Sequence, residues 1–110
     1  MSPRRANAPV EVLNYEIVQE QASALGRLGR GLEAALKGLR EFDAAHPRSS
    51  ASYGERQARR VLVSAASHAL WMFVVQREAC GLRGSRSLMR HYGVPAEVQE
   101  WMGVFPGTPC

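Results

Sequence analysis

Few side chains in this 110-residue chain have a type and spacing that catalysis or metal binding requires. The three histidines, His46, His68 and His91, are far apart, and none is paired with a cysteine at the spacing of a zinc site. Cys80 would need a neighbouring base to act as a nucleophile, and the sequence assigns it none. We therefore predict no catalytic residue, no metal site and no cofactor, and we do not expect an enzyme.

Basic side chains are the next candidates, because the chain has a formal net charge of +4. A basic patch could bind an anion or a nucleic acid. Three arginines in the first turns of a helix are mildly unfavourable with the helix dipole, which favours internal pairing with Glu33, Glu41 or Asp43. Both interpretations stay open at this point. The candidate patch consists of Arg56, Arg59, Arg60, Arg83, Arg86 and Arg90.

Residues 85–102 resemble a degenerate helix-turn-helix, with Gly93 at the turn between two short apolar patterns. Met89 stands where that motif usually has a small residue. Glu97 and Glu100 would face the phosphates of DNA and repel them. We therefore interpret the segment chiefly as two helices that cap the domain, and keep nucleic-acid binding as the alternative.

The longest apolar stretch runs from Val61 to Val75 and is apolar on nearly every side, which is typical of a helix buried all round. It is shorter than the ~20 residues of a membrane span. The other helices would leave part of it uncovered, so we predict a homodimer formed through this helix. The candidate interface residues are Val63, His68, Leu70, Trp71 and Val74.

The elements that position these residues are helices. Val18, Leu25, Leu32 and Leu39 repeat every seven residues and predict a first helix over Val10–Ala45. Glycines at 26, 29 and 31 would split this helix or allow close packing of another backbone. We favour close packing, along a small-residue stripe formed by residues 31, 35 and 38.

A second helix is predicted from a capping box of Ser52 and Glu55 to about Cys80, with Gly81 in the left-handed conformation that ends it. Two short helices follow, the second beginning near Pro95. The predicted fold is all-α, an antiparallel hairpin of two long helices with two short C-terminal helices packed on it.

The expected domain organisation is a disordered basic tail over residues 1–9, one helical domain over 10–103 and a flexible tail over 104–110. The start of the chain has no apolar stretch of the kind that a secretory signal contains. We expect no membrane association and a cytoplasmic location.

Several segments together resemble a family of short, uncharacterised bacterial proteins, a domain of unknown function, over about Val12 to Met102. The resemblance implies a small helical bacterial protein and no activity. The resemblance therefore supports the fold and leaves the function open. From the uncovered apolar helix and the lack of a catalytic constellation in the sequence, we expect a non-enzymatic interaction protein that self-associates. The resemblance rests on Tyr15–Ile17, Ala24–Arg27 with Gly29 and Arg30, Gln76–Leu82 and Tyr92–Pro95.

Overall fold

The computed structural model describes residues 4–104, and their side chains from residue 10 onward. Within this range the chain is helical and has no strand, which confirms the predicted all-α class. Two long helices pack together, and the shorter helices pack on the second. The helices are α1 (Arg4–Ala45), α2 (Tyr53–Ala79), α3 (Ser85–Tyr92) and α4 (Ala96–Glu100), with a 3₁₀ turn over Arg48–Ser50.

Helix α1 is longer than predicted. It begins at Arg4 rather than Val10, so residues 4–9 belong to the helix and not to a separate tail. It also continues without a break past the glycines at 26, 29 and 31. The end of the predicted C-terminal tail, residues 105–110, lies outside the described residues.

Close packing does occur on α1, but at Gly29. A Cβ at that position would lie 2.9 Å from Tyr92 Oη and 3.4 Å from Phe73 Cζ. The predicted stripe was wrong, because a Cβ added at Gly31 or Gly38 would meet no atom within 4 Å. The helix tolerates the cost of Gly29 because only a residue without a side chain leaves room for these two rings.

Both predicted ends of α2 are confirmed. The Ser52 hydroxyl accepts a hydrogen bond from the Glu55 backbone N–H at 3.1 Å, which caps the first turn. Gly81 has φ +81°, and the N–H of Leu82 donates to the carbonyl of Arg77 at 2.8 Å. This hydrogen bond, which spans six residues and is typical of a Schellman motif, satisfies a carbonyl of the last turn that has no partner within the helix.

The core lies between one face of α1, one face of α2 and the apolar positions of the two short helices. The prediction that α2 is buried on every side was wrong, because Val61 is 68% exposed and Met72 and Val75 are also exposed. The other helices cover only part of its circumference. The buried apolar residues are Leu32, Leu36, Leu39, Val63, Ala66, Leu70, Phe73, Leu88, Val94 and Val98.

Helix α2 is long and apolar enough to cross a membrane by length and composition. This is weak evidence, because a core helix passes the same test. One third of its most apolar 18-residue window is buried inside this fold.

Candidate functional site

Arg59 joins three helices through a single guanidinium. Its Nε and Nη2 donate to the two carboxylate oxygens of Asp43 on α1, at 2.7 and 3.1 Å. Its Nη1 donates to Glu97 Oε2 on α4 at 2.8 Å. The Arg59 side chain is only 14% exposed. Hydrogen bonds between ionised partners are stronger than neutral ones, so this cluster fixes α4 against the two long helices.

This arrangement shifts the protonation equilibria of all three groups. The hydrogen bonds from Arg59 lower the pKa of Asp43 and of Glu97, and they outweigh the partial burial that would raise both. The bonds to Glu97 and Asp43 in turn raise the pKa of Arg59. All three groups are therefore ionised at neutral pH.

Ser67 fixes α4 from a second direction. Its side chain is fully buried, and its hydroxyl oxygen lies 2.8 Å from the carbonyl of Val63 and 2.9 Å from that of Val98, which share its one proton. The Val98 carbonyl belongs to a five-residue helix, whose last carbonyls have few partners within the helix. A hydroxyl at position 67 satisfies one of them.

A cavity of about 470 Å³ lies beside the Arg59 cluster, where the last turns of α1, the 3₁₀ turn, the start of α2 and α4 come together. Its apolar wall includes Phe42, Val63 and Trp101. The ring of Phe42 stacks on His46 with centroids 4.2 Å apart. Three arginines at its edge, Arg48, Arg56 and Arg60, are exposed.

The six arginines of the predicted basic patch separate into two groups. Arg56, Arg59 and Arg60 line the cavity just described, whereas Arg83 lines another depression with Arg77 and Glu78. Arg86 and Arg90 are exposed positions of α3. Internal pairing holds for Arg59 with Asp43, but the pairs predicted with Glu33 and Glu41 are absent from the described residues, where Glu41 lies 3.8 Å from Lys37.

Two of the five predicted interface residues cannot form an interface. Val63 and Leu70 are buried inside the chain, because they face α1 and the short helices. His68 is exposed, and Trp71 and Val74 are half-buried. An all-round apolar pattern did not reveal which side of α2 the rest of the chain would cover.

A different apolar surface is exposed on the first half of α1. Every residue from 10 to 20 is exposed, including four apolar residues on one side of the helix. Val18 is 61% exposed, although it begins the seven-residue repeat whose later members, Leu32 and Leu39, are buried. The face of α1 that forms the core therefore extends toward the N-terminus, where it is exposed to solvent. We call it the N-terminal apolar face; it consists of Val10, Leu13, Ile17 and Val18.

Charge is unevenly distributed along this part of α1. Glu11, Glu16 and Glu20 carry the only charges between residues 10 and 26. Arg27 and Arg30 follow, and Arg27 lies 3.7 Å from Glu20. The exposed helix is thus acidic along the N-terminal apolar face and basic immediately after it.

Sequence reasoning missed this surface and the cavity for different reasons. The exposed face could have been inferred from helix lengths: α1 has 42 residues and α2 only 27, so α2 cannot cover the whole of α1. No sequence pattern indicated the cavity, because the residues that line it are brought together only by the fold.

The histidines and cysteines form no constellation in the described residues, where no three His, Cys, Asp or Glu side chains could hold a metal ion together. Cys80 is a half-buried free thiol, and Gln76 Nε2 lies 3.6 Å from its sulfur.

Comparison with known families places the chain. Residues 1–109 match the model of a family described as "Family of unknown function (DUF6665)", and the chain belongs to that family. Comparison with the curated proteins and with the solved structures finds no match.

Proposed function

We propose that this member of a family of unknown function is a non-enzymatic helical interaction protein that self-associates through the N-terminal apolar face of α1. The observation that carries the proposal is the exposure of that face, with Val10 at 58%, Leu13 at 55% and Ile17 at 48%. Apolar surface removed from water contributes about 25 cal/mol per Å². A contiguous exposed patch therefore favours association.

A second copy of the chain is the occupant that the charges favour. Two parallel copies in register would place Glu11, Glu16 and Glu20 beside themselves. Two copies that run in opposite directions, with their N-terminal apolar faces against one another, are centred near residue 14. They place Glu11 opposite Ile17 and keep each glutamate away from its own counterpart. We therefore propose a two-fold, antiparallel pairing of the α1 segments. A helix pair this short lies at the small end of specific interfaces, so a dissociation constant on the order of micromolar is expected.

The dimer that we propose replaces the one predicted through α2. Val61 and Val75 are exposed apolar residues on α2 and provide a matched control. In sedimentation velocity from about 1 to about 100 μM, we expect the wild type and Val61→Ser/Val75→Ser to gain mass with concentration. Leu13→Ser/Ile17→Ser should remain a single species of about the 12.1 kDa chain mass. Loss of association in the α2 variant alone would contradict the proposal.

The antiparallel orientation has its own test. In a background with Cys80→Ser and Cys110→Ser, the substitution Val10→Cys places one thiol at the start of the exposed face. Parallel copies in register would bring the two thiols together and oxidise to a disulfide dimer. Antiparallel copies hold them apart, so we expect no rapid crosslink on non-reducing electrophoresis.

We also infer that α1 and α2 form an antiparallel hairpin. The support comes from two contacts at different distances from the connection between them. Arg59 pairs with Asp43 near the connection, whereas Phe73 approaches Gly29 far from it. Crosslinks between introduced cysteines at these two levels would test the direction of α2.

Nucleic-acid binding by residues 85–102 is not favoured. The second helix of that pair, α4, has five residues, and its Glu97 is engaged by Arg59. Glu100 is exposed and would repel phosphates. We expect no gel shift that survives competitor DNA. A shift lost in Arg90→Gln or Gln99→Ala would contradict this.

We propose a cytoplasmic location and a bacterial origin. The support for the location is that α2 contributes five buried residues to the core, a role that a membrane span could not keep. Fractionation of the native host should recover the protein without detergent.

A further inference from the structure

We propose that the cavity at the C-terminal end of α1 binds an organic monoanion, a carboxylate-like group attached to an apolar body of aromatic or branched hydrocarbon. This proposal is independent of self-association, because it concerns the opposite end of α1. It rests on the shape, the apolar wall and the charge of that cavity.

The cavity has the size and the wall of a small-molecule site. Its volume of about 470 Å³ falls within the range of roughly 300–1,000 Å³ that such pockets occupy. The wall combines the Phe42 ring, the Val63 side chain and the indole of Trp101, which is 50% exposed. A half-exposed indole beside a cavity offers a flat apolar surface that a ligand would cover.

The edge of the cavity supplies positive charge that the neighbouring carboxylates only partly balance. Arg59 is paired with two carboxylates, and Arg48 interacts with the same two at longer range. Arg48, Arg56 and Arg60 have no ion pair within 4 Å among the residues described here. Arg56 also donates from Nη1 to the Ala51 carbonyl at 2.8 Å, which orients its guanidinium.

The acidic residues at the site offset only two of these three charges. Glu97 serves Arg59, and Glu55 accepts a hydrogen bond from the Ser52 hydroxyl at 3.2 Å. The four arginines of the cavity, taken with Glu55, Glu97 and the adjacent Asp43, carry one net positive charge. A single anionic group would neutralise it, which is why we commit to a monoanion.

The test compares two probes that share an apolar body and differ in charge. One is 8-anilinonaphthalene-1-sulfonate, and the other is its uncharged analogue N-phenyl-1-naphthylamine. We expect the sulfonate to bind the full chain at least about fivefold more tightly, a difference of roughly 1 kcal/mol. Naphthalene-1-carboxylate should displace it, and the uncharged naphthalene-1-methanol should not. Chemical-shift changes on binding should centre on Phe42, Val63 and Trp101.

Variants separate the cavity from other surfaces. Arg56→Gln and Arg60→Gln should each weaken sulfonate binding about threefold or more and leave binding of the neutral probe unchanged. Arg40→Gln and Arg86→Gln, which alter exposed arginines outside the cavity, are the matched controls. Far-UV circular dichroism should show that all four variants are folded.

Two results would overturn the proposal. One is equal affinity for the charged and neutral probes with no effect of Arg56→Gln or Arg60→Gln. The other is loss of sulfonate binding in Leu13→Ser/Ile17→Ser while both arginine variants still bind, because the probe would then occupy the N-terminal apolar face. Neither result depends on whether the protein forms a dimer.

Discussion

Arg59 illustrates how much of this fold depends on one side chain. Its removal would leave two carboxylates close together without their counter-charge. Breaking a fully buried ion pair costs about 3–5 kcal/mol. Asp43 and Glu97 are 34% and 35% exposed, so water compensates in part. We expect Arg59→Met to lower the free energy of unfolding by about 2 kcal/mol, measured by urea denaturation.

Arg60 is the matched control for this measurement. It is the next residue in the sequence, is exposed, and has no ion pair within 4 Å in the described part of the chain. Arg60→Met should change the free energy of unfolding by less than about 0.5 kcal/mol. Equal losses in the two variants would show that the cluster contributes nothing beyond ordinary surface charge.

The lowered pKa values of Asp43 and Glu97 predict the pH dependence of stability. In an unfolded chain both carboxyls titrate near about 4. Because their folded-state pKa values are lower, the unfolded chain binds more protons in acid. Their contribution is therefore complete at neutral pH and is lost as the pH falls below about 4 through the folded-state values. Urea midpoints between about pH 7 and about pH 3 should fall more steeply in the wild type than in Arg59→Met.

Sequence reasoning reached part of this residue-scale chemistry. It placed Asp43 among three acidic partners for the arginines of α2. It did not identify Glu97, because that residue is 38 positions away from Arg59 and nothing local marks the contact. Ser67 was hidden for the same reason: its partner, the carbonyl of Val98, is 31 positions away.

At the scale of helices, two glycines of α1 make a matched pair. Alanine favours a helix over glycine by about 1 kcal/mol. Gly31 has open space where a Cβ would lie, whereas Gly29 is in contact with Tyr92 and Phe73. We expect Gly31→Ala to raise the free energy of unfolding by about 0.5–1 kcal/mol. Gly29→Ala should be at least about 1 kcal/mol less favourable than Gly31→Ala in the same denaturation assay.

A double substitution identifies the contact responsible. The nearest atom to the added Cβ at Gly29 is the hydroxyl oxygen of Tyr92, at 2.9 Å. Tyr92→Phe removes that atom and leaves the ring against Phe73. In the Gly29→Ala background it should recover part of the lost stability. If Gly29→Ala were as stabilising as Gly31→Ala, the side chain of Tyr92 would have moved freely.

The ends of elements were more predictable than their surroundings. The Ser52 cap and the left-handed Gly81 follow from local backbone requirements, and both are confirmed. The predicted start of α1 was wrong, because residues 4–9 lack an apolar pattern that marks them as helix. The predicted burial of α2 on every side was also wrong, because an apolar pattern does not show how many neighbouring helices will cover it.

At the scale of the whole molecule, α1 separates two surfaces. Val18 ends the N-terminal apolar face and Phe42 lines the cavity, and 24 residues of helix at ~1.5 Å each place them roughly 36 Å apart. Between them lies the core that α1 shares with α2. Substitutions in one surface should therefore leave the other unchanged, and ligand binding and self-association should be separable.

The uneven support of α1 predicts uneven protection of its backbone. Residues 10–20 are all exposed among the residues that the structure describes, so their backbone hydrogen bonds open at low free-energy cost when the protein is a monomer. In a dimer each copy covers the other. We expect amide hydrogen exchange over residues 10–20 to be fast in dilute solution and to slow about tenfold or more well above the dissociation constant. Amides near Leu32 and Leu70, which are fully buried, should exchange at one rate throughout. Protection of residues 10–20 that does not change with concentration would show that a second copy does not cover this face.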